Sequence, residues 1–203
     1  MKKDMTITYT VDDALYINVT NRCTNNCDFC IRKNGDGAYG SNSLWLVREP
    51  TEDEILASVF SHDISSFSEV VFCGYGEPSI RLDTVISVAK KIKEKYPIKV
   101  RINTNGHSSF YHRYNTAPKY AGAFDCVSIS LNTPSSERYD EICHPNFMGA
   151  HNAMLEFAGE VKKYVPTVIL SVVKDFLTDD EILECHRIAD SLGVHLKVRD
   201  YIS

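Results

Sequence analysis

Leu15-Tyr16-Ile17-Asn18-Val19 runs through Thr20-Asn21-Arg22 into Cys23-Thr24-Asn25-Asn26-Cys27-Asp28-Phe29-Cys30. The first part, rich in β-branched and aromatic side chains, reads as a strand. The second part is polar and places three thiols in one loop. A strand that delivers such a loop is the unit from which α/β sheets build their sites, at the carboxyl ends of the strands. The unit recurs along the chain. Glu69–Phe72 leads into Cys73-Gly74-Tyr75-Gly76-Glu77-Pro78, and Ile98–Ile102 into Asn103-Thr104-Asn105-Gly106. Cys126–Leu131 contains Ser128 and Ser130 and is followed by Asn132. Val168–Val173 and His195–Val198 complete the set, with Lys174 and Arg199 next to them.

Helical patterns separate these strands. Thr51-Glu52-Asp53-Glu54 has the spacing of a capping box, and Ile55, Leu56, Val59 and Phe60 then share one face. Leu82, Val85, Val88, Ala89 and Ile92 form a second stripe, stopped by Pro97. Ala150–Tyr164 is a third helix. Thr178-Asp179-Asp180-Glu181 opens a fourth, which Gly193 ends. Pro134–Ile142 and Tyr111–Ala123 are also expected to be helical. Alternating strands and helices imply a parallel sheet with right-handed crossovers. A chain of 203 residues falls short of a complete eight-stranded barrel, which usually takes ~250 residues. The expected fold is α/β, an incomplete (βα)6 TIM-like barrel of parallel strands forming a single domain over residues 1–203.

A net charge of −5 argues against a dedicated nucleic-acid binder. Lys90, Lys91, Lys93 and Lys95 read as the solvated face of one helix. No apolar run has signal-peptide or membrane-spanning length, which places the expected location in the cytoplasm. Seven cysteines, an odd number, do not suggest a disulfide framework there. Thiolate chemistry is the better account of some of them.

Soft thiolates favour zinc, copper(I) or iron–sulfur clusters. A structural zinc site normally takes four protein ligands. Here three thiols stand at C-x3-C-x2-C spacing with the aromatic Phe29 before the last. A cluster held by four cysteines is saturated. One held by Cys23, Cys27 and Cys30 leaves an iron open to bind a substrate. A zinc site completed by a distant His or Cys is the alternative. In the second loop, Gly74 and Gly76 allow a close backbone approach and Glu77 offers an acceptor for an ammonium group. Thr104 and Asn105 suit ribose hydroxyls and carboxylates, although Asn-Gly is also a common turn. Ser130 and Asn132 share one side by strand alternation. Lys174 and Arg199 could each pair with a carboxylate of a bound ligand, with an ordinary ion pair as the expectation for each.

The cysteine loop resembles the cluster loop of the radical S-adenosylmethionine superfamily, and the loops after the next three strands follow that family's order. The resemblance covers Tyr16 to about Lys174. A closer likeness, to small radical S-adenosylmethionine proteins associated with TatD-family hydrolases, rests on Asn18–Cys23, Leu44-Trp45-Leu46 and Glu49-Pro50-Thr51. The resemblance implies a [4Fe–4S] cluster on Cys23, Cys27 and Cys30, with S-adenosylmethionine on its open iron. It implies that Gly74, Tyr75, Gly76 and Glu77 hold the methionine amine, and that Thr104, Asn105, Ser130 and Asn132 line the nucleoside site. Phe29 is expected near the adenine. Reductive cleavage by a low-potential donor of flavodoxin or ferredoxin type would give a 5′-deoxyadenosyl radical, which takes hydrogen from an unidentified substrate.

An activase for a glycyl-radical enzyme is a narrower alternative. A cluster electron carrier and a zinc-binding interaction module are alternatives from other classes. The segment Asn34–Leu46, with Gly35, Gly37 and Gly40, is expected to fold over the site. The open side of a partial barrel suggests a large substrate or a partner chain. Cys73, Cys126, Cys143 and Cys185 are expected as buried small hydrophobes.

Overall fold

The computed structural model describes residues 2–201. One seven-stranded sheet runs in sequence order: β1 (Thr8–Val11), β2 (Ala14–Ile17), β3 (Glu69–Phe72), β4 (Lys99–Thr104), β5 (Cys126–Ser130), β6 (Thr167–Val173) and β7 (His195–Arg199). From β2 to β7 every neighbouring pair is parallel. β1 and β7 are the two edges, so the barrel does not close. The parallel strands stand within two residues of their expected bounds. β1 has no counterpart among the expected strands. It pairs antiparallel to β2 through Asp12-Asp13, where Asp12 takes a φ of 51°. Aspartate tolerates that conformation, but Asp-Asp is a weaker hairpin signal than Asn-Gly.

The helices are α1 (Glu52–Phe60), α2 (Leu82–Lys95), α3 (Ser108–His112), α4 (Ser136–Cys143), α5 (Ala150–Val161) and α6 (Asp179–Leu192). Both capping boxes form, at Thr51 with Glu54 and at Thr178 with Glu181, and Gly193 ends α6 at a φ of 63°. The helix expected over Tyr111–Ala123 does not form. α3 stops at Arg113, whose φ is 62°, and only a 3-10 turn follows at Ala117–Tyr120. Between them Asn115 accepts from the Ala117 amide and Ser109 from the Thr116 amide. Such side-chain bonds satisfy backbone groups outside a helix.

Alternation gives the sheet two unlike faces. Leu15, Ile17, Val70, Phe72, Val100, Ile102, Val127, Ile129 and Leu170 are fully buried in the main core with α1, α2, α5 and α6. Each such side chain stabilises the fold by roughly 1.5–3 kcal/mol. The other face is largely polar: Tyr16, Val71, Arg101, Cys126 and Thr167 lie in one register row. No helix among the described residues is long and apolar enough to cross a membrane.

Candidate functional site

The ends of β2, β3 and β4 meet at one carboxylate. Glu77 is buried, and its Oε1 accepts from the Ser79 amide at 2.9 Å and the Thr104 hydroxyl at 2.7 Å. Its Oε2 accepts from the Asn105 amide at 2.7 Å. Burial raises the Glu77 pKa, and these donors oppose the rise. Asn105 carries the connection onward. Its Nδ2 donates to Thr24 Oγ1 at 2.7 Å and lies 3.8 Å from Cys23 Sγ, and its Oδ1 accepts from the His107 amide. Sequence reasoning turns Glu77, Thr104 and Asn105 toward a ligand. Among the described residues their polar groups join the three loops through these bonds.

The glycines show the same economy. A Cβ on Gly76 would overlap the carbonyl oxygen of Thr20 and lie 2.6 Å from that of Arg22. One on Gly74 would overlap the Asn18 amide. The close approach they permit is between the β3 loop and the chain entering the cysteine loop. Gly76→Ala is therefore expected to destabilise the protein by about 3 kcal/mol, the upper range for overpacking, because backbone must move. Urea unfolding would measure it, and a loss under about 0.5 kcal/mol would contradict the tight contact.

Tyr75 lies beside the end of the cysteine loop, in a cluster that Ile31 also joins. It packs with Tyr9, Ala38 and Leu44 in a second small core, edge-on to Trp45, and its hydroxyl donates to Gly35 O at 2.9 Å. The segment after the cysteines is thus docked. Asn18 donates to Leu44 O, Asn21 exchanges two hydrogen bonds with Leu46, and Thr20 and Arg22 both bind Glu49. The three sequence pieces Asn18–Cys23, Leu44–Leu46 and Glu49–Thr51 form one lock around the start of the cysteine loop.

Beneath that loop lies a buried network that sequence reasoning missed. Thr24 Oγ1 meets His107 Nδ1 at 2.9 Å, His107 Nε2 meets the Tyr139 hydroxyl at 3.2 Å, and Asn25 Nδ2 donates to Tyr139 at 2.8 Å. The signal available in advance was His107 directly after Asn105-Gly106. Burial pushes the His107 pKa down to about 4 from its ordinary 6.5, so it is neutral at pH 7. A depressed histidine contributes stability that is present above 6.5 and lost as pH falls through 4. The loss amounts to about 2 kcal/mol by pH 5. Urea unfolding at pH 7.5 and 5 should show this, and His107→Gln should remove that part of the acid sensitivity. Equal sensitivity in both proteins would contradict it.

The three loop thiols are each partly buried. Burial, then the charge of Glu77, pushes Cys23 up to about 12. Cys27 is raised by its hydrogen bond to the Cys143 thiol and by burial, and Cys30 by burial. Cys143 also accepts from Asn132 Nδ2 at 3.3 Å. Among the described residues no group of three or more His, Cys, Asp or Glu is drawn together as a finished metal cage. The donor set nevertheless fits an iron–sulfur cluster. It is three soft thiols on one anchored loop, with Arg32 favouring the thiolates of all three.

Ser130 is half-buried at the end of β5, opposite Ser171. Asn132 lies beyond the strand with a φ of 64°, so alternation no longer sets its side. Phe29 packs on Phe176 with ring centroids 5.0 Å apart. Lys174 pairs with Asp200 at 2.5 Å, whereas Arg199 makes no ion pair among the described residues. A cavity of about 480 Å³ lies at the other end of the sheet, among Glu69, Arg101, Cys126 and Lys197. It opens at strand starts, away from the cysteine loop.

The curated relatives include GTP 3′,8-cyclase of Limosilactobacillus fermentum, 34% identical over 131 residues, which cover 64% of this chain and 36% of the relative. Molybdenum cofactor biosynthesis protein 1 of Drosophila melanogaster is 26% identical over 93% of this chain and 31% of its own length. The chain thus spans about a third of these relatives. Among solved structures, SuiB of Streptococcus suis bound to its precursor peptide SuiA superimposes with a TM-score of 0.70 at 17% identity, over 94% of this chain and 39% of SuiB. That likeness shows a shared fold. The model of the radical SAM superfamily, whose enzymes use a [4Fe–4S] cluster and S-adenosylmethionine, matches residues 17–189, and the chain belongs to that superfamily.

Proposed function

We propose that this chain is a radical enzyme that holds a [4Fe–4S] cluster on Cys23, Cys27 and Cys30 and S-adenosylmethionine beside it, acting on a substrate yet to be identified. Bound together, the two groups supply a 5′-deoxyadenosyl radical, a reagent able to take hydrogen from unactivated carbon. The observation that carries the reading is the junction at Glu77. One buried carboxylate and the Asn105 side chain lock the β3 and β4 loops to the loop that bears the thiols.

The chain's own residues then have distinct roles. Glu77, Thr104 and Asn105 fix the relative positions of three strand ends, and through them the polar backbone of Gly74–Gly76 is presented to the methionine amine. Ser130 and Asn132 serve the nucleoside side, and Phe29 offers an apolar wall near the adenine. The 34–46 segment, docked on Tyr75, shields the cysteine loop from water on the β1 side, as a reactive radical requires. The reductant is a low-potential donor of flavodoxin or ferredoxin type. One relative's name specifies GTP as the molecule acted on, and SuiB binds a peptide, so the family's substrates differ widely and the substrate here must be read from this chain.

Anaerobic reconstitution with iron and sulfide, then dithionite and S-adenosylmethionine, tests the reading through chromatographic detection of 5′-deoxyadenosine. A brown protein that forms it supports the proposal. A colourless protein holding stoichiometric zinc overturns it.

A further inference from the structure

We propose that Lys197 and Arg199 on the inward face of β7 form the binding locus for a phosphate or carboxylate group of the substrate, an assignment that rests on the radical-enzyme reading. The two alternate with Leu196 and Val198, so they share one face about 6–7 Å apart. Lys197 stands opposite Ser171 and Arg199 opposite Val173, and Ser171 stands opposite Ser130. The locus therefore lies on the polar inner face, at the strand ends where the site residues gather.

The charge balance of that face is unequal. Lys99, Arg101, Lys197 and Arg199 all belong to it by register. The strand residue that opposes them, Glu69, is taken by Arg101 in contacts of 2.6 and 3.1 Å. Asp125, which also borders the cavity, is held by Lys93 and by the Val100 amide. In a chain with a net charge of −5, exposed Lys197 and half-buried Arg199 thus stand on this face without an ion pair among the described residues.

Arg199 is the sharper observation. It is the neighbour of Asp200, yet Asp200 pairs with Lys174. The guanidinium has one long hydrogen bond, 3.5 Å to Ser171 Oγ, and its Nε is buried without an acceptor. Buried donors are nearly always paired, so an unmet guanidinium N–H calls for a ligand. Its charge favours the ionised forms of Cys73 and Tyr39, which places it across the chamber near the end of β3. Lys197 lies one row deeper, on the wall of the 480 Å³ cavity beside Cys126 and Ser128. An anion bridging the two would leave the rest of a substrate between that cavity and the strand ends. A planar guanidinium suits a phosphate or carboxylate through paired hydrogen bonds.

Calorimetric titration with inorganic pyrophosphate and with citrate tests the locus on the reconstituted protein, and equilibrium dialysis measures S-adenosylmethionine in parallel. Wild type is expected to bind at least one probe, and Arg199→Gln to weaken it by about tenfold or more, with Arg199→Lys recovering part of the loss. S-adenosylmethionine affinity should be unchanged, and both ligands should bind together. Equal probe binding in wild type and Arg199→Gln overturns the locus. Competition between probe and S-adenosylmethionine, with loss of both in the variant, gives Arg199 to the cosubstrate's carboxylate and overturns the substrate assignment. Lys197→Gln, at an exposed position of an edge strand, supplies the same readout if Arg199→Gln does not fold. Failure of the radical-enzyme reading shows separately, as wild type that never takes up a cluster.

Discussion

Cys27→Ala is expected to fold normally and to take up no cluster. Its iron and sulfide should fall from about four of each per chain to background, and 5′-deoxyadenosine should fall with them. The thiol it loses is partly buried and hydrogen-bonded to the Cys143 thiol. Removing one such contact costs about 1 kcal/mol, small beside a typical domain stability of about 5–15 kcal/mol. The loop itself is held by other means. Asn26 and Asp28 donate backbone hydrogen bonds to Cys143 O and Ile142 O, and the Asn146 amide donates to Thr24 O. Circular dichroism should therefore match wild type while colour vanishes.

The contact with Cys143 makes the comparison informative. Cys143→Ala removes the partner that holds the Cys27 thiol inward, and it is expected to keep the cluster. If Cys143→Ala lost the cluster as Cys27→Ala does, four thiols rather than three would serve as ligands, and no iron would remain open for S-adenosylmethionine. Cys185→Ala, buried on α6 and far along the chain from the loop, is the neutral control for losing any buried thiol.

The alternation of strands and helices was legible because the local signals agree with the fold. Val and Ile runs mark the parallel strands, and Thr-x-x-Glu boxes mark the starts of α1 and α6. β1 was not legible, because a short alternating edge strand closed by Asp-Asp carries little signal. The helix lost at Tyr111–Ala123 shows the limit of apolar periodicity, since Ser109 and Asn115 offer the backbone other partners. The positions of the strand-end loops were equally readable, but the bonds their side chains make within the chain were not. Glu77, Thr104 and Tyr75 carry functional groups that sequence assigns naturally to a ligand, and in the fold each also makes a hydrogen bond within the chain. His107 and Tyr139 were missed for the converse reason. Their role as support under the cysteine loop exists only once β4, α4 and the loop are brought together.

The Glu77 variants should be ordered by the donors they leave unmet. Glu77→Ala strands the Ser79 amide, the Thr104 hydroxyl and the Asn105 amide in a buried place. Each buried donor without a partner costs about 1–3 kcal/mol, so a loss of roughly 3–5 kcal/mol is expected after partial relaxation. That is a large share of the stability of a single domain. Glu77→Gln can keep the two donors at Oε1, but its Nε2 then faces the Asn105 amide, donor against donor, and a loss of about 1–3 kcal/mol is expected. The pH dependence separates the two states of the wild-type side chain. Burial raises the Glu77 pKa above its ordinary 4.5, so the folded protein holds this proton more tightly than the unfolded one. The stabilisation is complete below 4.5 and declines as pH rises through the folded value, opposite in sign to the His107 contribution. The stability gap between wild type and Glu77→Gln should therefore widen in acid. Urea unfolding of the cluster-free proteins across pH 4 to 8 reads both effects. An Ala variant within about 0.5 kcal/mol of wild type would mean that the carboxylate does not hold the three strand ends together.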